Sequence, residues 1–255
     1  MQLIDTHIHL YADEFNEDRE ELIRQAQEKS VQYFLMPNID SSSKDPMLEI
    51  SANYEGQCFP MMGLHPCSVK ENFRKELQLV ETELKKGIYY GVGEIGLDLY
   101  WDLKFVKEQE EALKIQLQWA AETNLPAAIH SRESTAQIIK IIQALKLKNL
   151  KGIFHCFTGT AEQAQTIIDL GFHLGIGGVL TYKNSGLDKT IEQIDLKHLV
   201  LETDAPYLPP TPHRGKRNIP AYLFLIAEKL AKLKEVSIEE VAKVTSENAI
   251  KLFEI

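Results

Sequence analysis

Eight short apolar runs, rich in β-branched and aromatic residues, punctuate the 255-residue chain at residues 2–5, 31–36, 59–64, 89–95, 126–130, 152–157, 172–177 and 199–203. Between most of them the apolar positions recur at helical spacing, so strands alternate with helices. Two helix starts are signalled by capping boxes, Thr160 with Gln163 and Ser237 with Glu240. Residues 103–123 and 221–234 read as amphipathic helices. The strand ends recur about every 28 residues, the length of one βα unit. Eight such units in a chain of this size predict an α/β fold, a single (β/α)8 TIM-like barrel, with a doubly wound open sheet as the alternative. A last helix over 238–253 is left over as an extra C-terminal closing element. No Gly/Ser-rich linker or abrupt charge shift divides the chain, which predicts one domain over residues 1–255.

Composition narrows the function classes. With 44% hydrophobic and 25% charged residues the chain has ordinary globular character. No run approaches the roughly 18 consecutive apolar residues of a membrane helix, so no membrane partner is expected. The three cysteines are scattered without a C-x-x-C pair and no charged leader precedes an apolar run, which predicts a reducing, cytoplasmic location. A monomer is the default. The formal net charge of -9 argues against a protein that coats nucleic acid through a general basic surface, while leaving room for a local basic patch.

The residues that do not suit a buried strand are the informative ones. The stretch L-I-D-T-H-I-H-L near the N-terminus puts His7 and His9 at the end of the first strand. His65 follows the third in G-L-H-P, Glu94 ends the fourth in G-E-I-G-L-D, and His130 ends the fifth in I-H-S-R. His155 ends the sixth in H-C-F-T-G, and Asp204 ends the eighth in E-T-D-A-P. In a barrel these C-terminal strand ends meet on one face. His173 and His198 fall at strand starts, on the opposite, stability face. Taken singly, each residue has an ordinary explanation: a satisfied histidine, a turn glutamate, an N-cap aspartate. Together, five imidazoles and two carboxylates in one cavity are costly to bury without a compensating cation. His7 and His9, at i and i+2, share one strand face and can grip one ion. The donor set exceeds what one tetrahedral ion needs, and a carboxylate such as Glu94 can bridge two. A binuclear site follows. G-V-G-E-I-G at residues 91–96 formally matches a dinucleotide fingerprint, but Glu94 would oppose the pyrophosphate with like charge and no helix start follows.

D-T-H-I-H-L, G-L-H-P, G-E-I-G-L-D, I-H-S-R, H-C-F-T-G, E-T-D-A-P and the R-G-K-R-N-x-P stretch from Arg214 to Pro220, in that order, resemble the TatD-type metal-dependent deoxyribonucleases of the amidohydrolase superfamily. The resemblance implies a TIM-like barrel with two divalent metal ions. It places one on His7, His9, Glu94 and Asp204, and the other on Glu94, His130 and His155. Glu94 stands where many hydrolytic relatives use a modified lysine. Mg2+, Mn2+, Zn2+ and Ni2+ all suit such ligands. Two ions about 3.5–4 Å apart would acidify a shared water and draw charge from a phosphoryl oxygen. In that scheme Asp204 and Glu94 are catalytic as well as ligating, and His65 contacts phosphate or assists the leaving oxygen. Arg214, Lys216, Arg217 and Arg132 are the candidate phosphate-binding cations. Tyr100 or Trp101 offers a base-stacking surface or, alternatively, core packing. The expected partner is a DNA substrate, cut at strand ends or in single strands. A hydrolase of C–N or C–O bonds in a small substrate, and a non-catalytic metal or nucleic-acid binder, are the alternatives from other classes.

Overall fold

The eight expected strands form, and residues 1–101 and 103–255 are described in the computed structural model. Strands β1 (Leu3–Asp5), β2 (Val31–Pro37) and β3 (Cys58–Met61) pair in parallel as one sheet. Strands β4 (Val92–Asp98), β5 (Ala127–Arg132), β6 (Gly152–Phe154), β7 (Phe172–Ile176) and β8 (Leu199–Leu201) pair in parallel as a second, again in chain order. Individual backbone hydrogen bonds join the sheets at both seams. Thr6 N–H donates to Leu201 O at 3.0 Å between the first and last strands, and Met62 N–H donates to Gly91 O at 3.0 Å between the third and fourth. The result is a TIM-type barrel whose curvature is continuous although its ladder is interrupted twice.

Alternation along the strands builds two apolar layers. Ile4, Leu35, Phe59, Ala128, Ile153 and Val200 fill the barrel interior, and Ala249, Leu252 and Phe253 of the last helix close its lower end. Their neighbours Leu3, Phe34, Ile129, Phe154, Leu199 and Leu201 point the other way, into the layer beneath the outer helices. Those helices are α1 (Arg19–Glu28), α2 (Lys44–Asn53), α3 (Phe73–Leu84), α4 (Val106–Thr123), α5 (Thr135–Leu145), α6 (Ala161–Asp169), α7 (Leu187–Glu192) and α8 (Leu223–Lys234). The closing helix is α9 (Ile238–Phe253). The capping box of α6 forms as read, with Thr160 accepting from Gln163 N–H and Gln163 answering the Thr160 N–H. Ser237 caps α9 by accepting from Glu240 N–H at 3.1 Å.

Several strand ends differ from expectation: β5 runs past His130 to Arg132, β6 stops at Phe154 and β8 at Leu201, before His155 and Asp204, and two further differences matter most for the site. The first ladder stops at Asp5 and the chain bends at Thr6 and His7, so His7 and His9 lie beyond the strand rather than on it. The fourth strand runs on to Asp98, so Glu94 is inside it, not at its end. Between Val92 and Ile95 the pairing of β4 with β5 slips. Such an irregularity turns a side chain onto the other face, and it is common beside active sites.

Candidate metal centre

Strand parity delivers half of the cluster. His130 is two residues beyond the inward Ala128, His155 two beyond Ile153, and Glu202 two beyond Val200, so each inherits the inward direction. The bend after β1 brings His7 and His9, the slip in β4 brings Glu94, and the segments that follow β3 and β8 bring His65 and Asp204, the latter with φ 58°. His7, His9, Glu94, His155 and Asp204 are buried, and His65 and His130 are partly so.

Glu94 is the hub. Its Oε2 lies 3.0 Å from His7 Nε2 and 3.8 Å from His9 Nε2, while Asp204 Oδ1 lies 3.4 Å from His9 Nε2 and 3.8 Å from His7 Nε2. Its Oε1 faces a different group: His130 Nδ1 at 2.8 Å, His155 Nε2 at 2.9 Å and His65 Nε2 at 3.4 Å. Three sets have ligand atoms close enough to share an ion: His7, His9 and Glu94; His7, His155 and Asp204; and His65, Glu94 and His130. Burial disfavours ionisation of Glu94, yet His155, His7, His65 and the His130 hydrogen bond together hold its carboxyl well below the usual range. Asp204 is likewise held low, against its burial, by His9 and the neighbouring imidazoles. Both carboxylates are therefore charged at neutral pH.

The partners of each imidazole decide which nitrogen is free to ligate. Tyr11 donates its hydroxyl to Pro37 O, so its oxygen accepts from His9 Nδ1 at 2.8 Å and leaves His9 Nε2 as the lone-pair atom. His130 Nε2 bonds Asp98 Oδ2 at 3.0 Å, leaving Nδ1 toward Glu94. His155 presents Nε2 to Glu94 and turns Nδ1 toward Glu202 Oε1 at 3.6 Å. His65 is the exception. Its Nδ1 accepts from Cys67 N–H at 3.0 Å, so the neutral ring carries its proton on Nε2, the atom that faces the site. His9, His130 and His155 thus turn one ring nitrogen to the site with the other directed at Tyr11, Asp98 and Glu202, while His65 faces it with an N–H. Two ionised carboxylates and five imidazoles packed with their facing atoms 2.8–3.8 Å apart fit a centre that a cation would complete.

Behind the ligands sit three carboxylates with distinct jobs. Asp98 braces His130. Glu202 faces His155 and accepts from Cys156 N–H. Asp5, buried and with its carboxyl pushed up to about 8 by desolvation, accepts from Thr203 N–H at 2.9 Å and His7 N–H at 3.3 Å, stitching the first strand to the last. Asp98 and Glu202 escaped the sequence reading, although spacing held a signal for both. Asp98 follows Glu94 by four residues along one strand, and Glu202 precedes Asp204 by two. Burial, and then Asp204, Glu202 and Glu94, push the Cys156 thiol well up.

The four candidate phosphate-binding cations are dispersed. Arg132 lines a cavity of about 350 Å³ together with His130, His155 and Leu208. Arg214 rests on the Tyr182 ring, 4.3 Å from its centroid. Arg217 pairs with Asp18 and donates to Glu14 O, which turns it toward α1, and Lys216 is exposed. None of these three is among the residues that line the cavity.

A parallel barrel with convergent histidines and carboxylates at its C-terminal rim defines a class, the metal-dependent hydrolases of barrel fold. A model of the TatD related DNase family matches residues 4–254, and the chain belongs to that family of metal-dependent hydrolases. It is 35% identical over 254 residues to an uncharacterized metal-dependent hydrolase, YabD of Bacillus subtilis, covering 99% of each chain. It is 30% identical over 257 residues to the 3'-5' ssDNA/RNA exonuclease TatD of Pantoea ananatis, covering 98% of this chain and 99% of that one. The crystal structure of YjjV, a TatD homologue from Escherichia coli, superposes with a TM-score of 0.94 at 28% identity, covering 99% and 98% of the two chains.

Proposed function

We propose that this hydrolase cleaves phosphodiester bonds of DNA, at strand ends or in single strands, with two divalent ions held at the Glu94 hub. The observation that carries the reading is the division of the Glu94 carboxylate, whose Oε2 faces His7 and His9 while Oε1 faces His130, His155 and His65. A bridging carboxylate has this arrangement. His7, His9, Glu94 and Asp204 would hold one ion, and Glu94, His130 and His155 the other. Bound there, divalent ions supply an acidified water and a polarised phosphoryl oxygen.

The chain's own groups account for the proton movements. Asp204, ionised and 3.4 Å from His9 Nε2, accepts the proton of the attacking water. His65, with its proton on Nε2, donates toward a phosphate oxygen or the departing one, a role for which the bond from Cys67 N–H prepares it. Arg132 supplies positive charge in the cavity that His130 and His155 also line. The relative named as a 3'-5' ssDNA/RNA exonuclease supports a nucleic-acid substrate.

The test is a chelator-sensitive assay of end-labelled single- and double-stranded DNA beside a panel of small esters and amides. Metal-dependent shortening of DNA with the panel untouched is expected. Hydrolysis of the panel with intact DNA would instead assign the site to C–N or C–O bonds.

A further inference from the structure

Past the end of β4 the chain exposes two large aromatic rings where core packing would have hidden them. Tyr100 is 51% and Trp101 69% exposed. Their centroids are 4.9 Å apart in an edge-to-face arrangement. Over them lies the Arg132 guanidinium, 4.3 Å from the Tyr100 centroid and 5.7 Å from that of Trp101. The same arginine lines the cavity of about 350 Å³ that also holds His130, His155, Val179 and Leu208. Asp98 locks the two regions together: Oδ1 accepts from the Tyr100 and Trp101 N–H groups at 2.9 Å each, and Oδ2 bonds His130 Nε2. Aromatic faces, guanidinium and candidate metal ligand therefore form one connected unit.

A nucleobase offers a π-face that suits such a unit, and sequence does not matter because every base has one. In a duplex the faces are occupied by neighbouring pairs, so only an unpaired base can reach the rings. The cavity beside Arg132 falls at the small end of ligand sites, the size for one sugar-phosphate unit rather than a helix.

We propose that Tyr100, Trp101 and Arg132 form a stacking platform for one unpaired nucleobase, which seats the adjoining phosphodiester against His130 and His155 and makes the site select single strands over duplexes. The inference rests on the phosphodiesterase reading and adds to it the residues that read strandedness. Trp101 acts as a substrate-positioning residue.

The test compares the full chain with Trp101→Ala and Trp101→Phe. Hydrolysis is measured on a short single-stranded oligothymidylate, on the matching abasic oligonucleotide and on a duplex. Trp101→Ala should raise KM for the base-bearing single strand about tenfold, the scale of one lost base–aromatic stack. It should leave kcat, and KM for the abasic strand and the duplex, unchanged, and Trp101→Phe should restore most of the loss. Equal KM values for wild type and Trp101→Ala on the base-bearing strand would overturn the platform while leaving the phosphodiesterase reading intact. Binding of the same oligothymidylate to the metal-free full chain, followed by fluorescence anisotropy, tests the platform apart from hydrolysis. A dissociation constant about tenfold weaker for Trp101→Ala supports it, and an unchanged one overturns it even if no strand is cut.

Discussion

Asp98 bonds His130 Nε2 through Oδ2 at 3.0 Å while its Oδ1 accepts two backbone N–H groups from the Tyr100–Trp101 turn. The His130 ring is thereby fixed with Nδ1 turned to Glu94 Oε1 at 2.8 Å. Carboxylates in this relation to a ligating imidazole typically govern metal affinity by about 10–100-fold. Asp98→Asn keeps an oxygen for the turn but replaces the acceptor of the His130 proton with a donor. Metal titration calorimetry should show affinity weakened within that range for one ion, with the melting midpoint of the metal-free chain little changed. Equal affinity in the variant would mean that Asp98 serves the turn alone.

Glu94 touches four imidazoles through two oxygens, so its loss should be felt by both halves of the centre. Glu94→Ala should lose most bound divalent metal, read by elemental analysis, and lose hydrolysis with it. Retention of full metal content would contradict the bridging role.

The dispersal of the basic residues gives a contrast. Arg217 is engaged with Asp18 and Glu14 O, a partly exposed ion pair of the kind worth roughly 0–1 kcal/mol. Arg217→Ala should leave KM for DNA within about twofold of wild type, since that pairing points it away from substrate. Arg132→Ala removes a charge that lines the cavity, and KM should rise by about tenfold or more, the scale of a lost charge-assisted hydrogen bond. Equal effects of the two substitutions would restore the basic loop as the phosphate clamp.

The barrel was legible because its strands alternate on schedule, and because Ala128 with His130 or Ile153 with His155 obey the same period as the core. The site was less legible where that period breaks. His7 and His9 read as a strand pair, yet a bend after Asp5 is what turns them inward, and the slip between Val92 and Ile95 that redirects Glu94 has no signature in residue type. Asp98 lies beyond Ile95, where the apolar run ends, and only the extension of β4 to Asp98 brings it behind His130. The arginines could not be ranked in advance, since their direction depends on partners such as Asp18, Tyr182 and Tyr100 that come from distant turns.

Room for the Glu202 carboxylate depends on a missing side chain. A Cβ on Gly175 of β7 would lie 2.2 Å from Glu202 Oε2 and 3.0 Å from His155 Cα. Neither neighbour can yield, because Glu202 and His155 are packed inside the barrel. Gly175→Ala should cost about 1–3 kcal/mol through overpacking, lowering the thermal midpoint by several degrees. Thermal unfolding of the metal-free chain measures it, and a midpoint equal to wild type would show that β7 relaxes around the added methyl.

His173 gives a pH test on the face away from the candidate metal centre. It begins β7, its Nδ1 is buried without a partner, and burial together with the His198 and Lys251 charges lowers its pKa below the ordinary 6.5, outweighing a backbone hydrogen bond at Lys197. A histidine whose folded pKa is depressed binds fewer protons in the native state than in the unfolded chain. Stability therefore rises with pH up to the unfolded value near 6.5 and is lost as pH falls below it. The loss continues until pH drops beneath the folded pKa. His173→Gln removes the proton-binding difference and keeps a polar group of similar reach. Melting curves recorded at about pH 7 and about pH 5 should show a smaller acid-induced drop in the variant than in wild type. An identical drop in both proteins would assign the acid sensitivity of this face to His198 instead, the other histidine placed there.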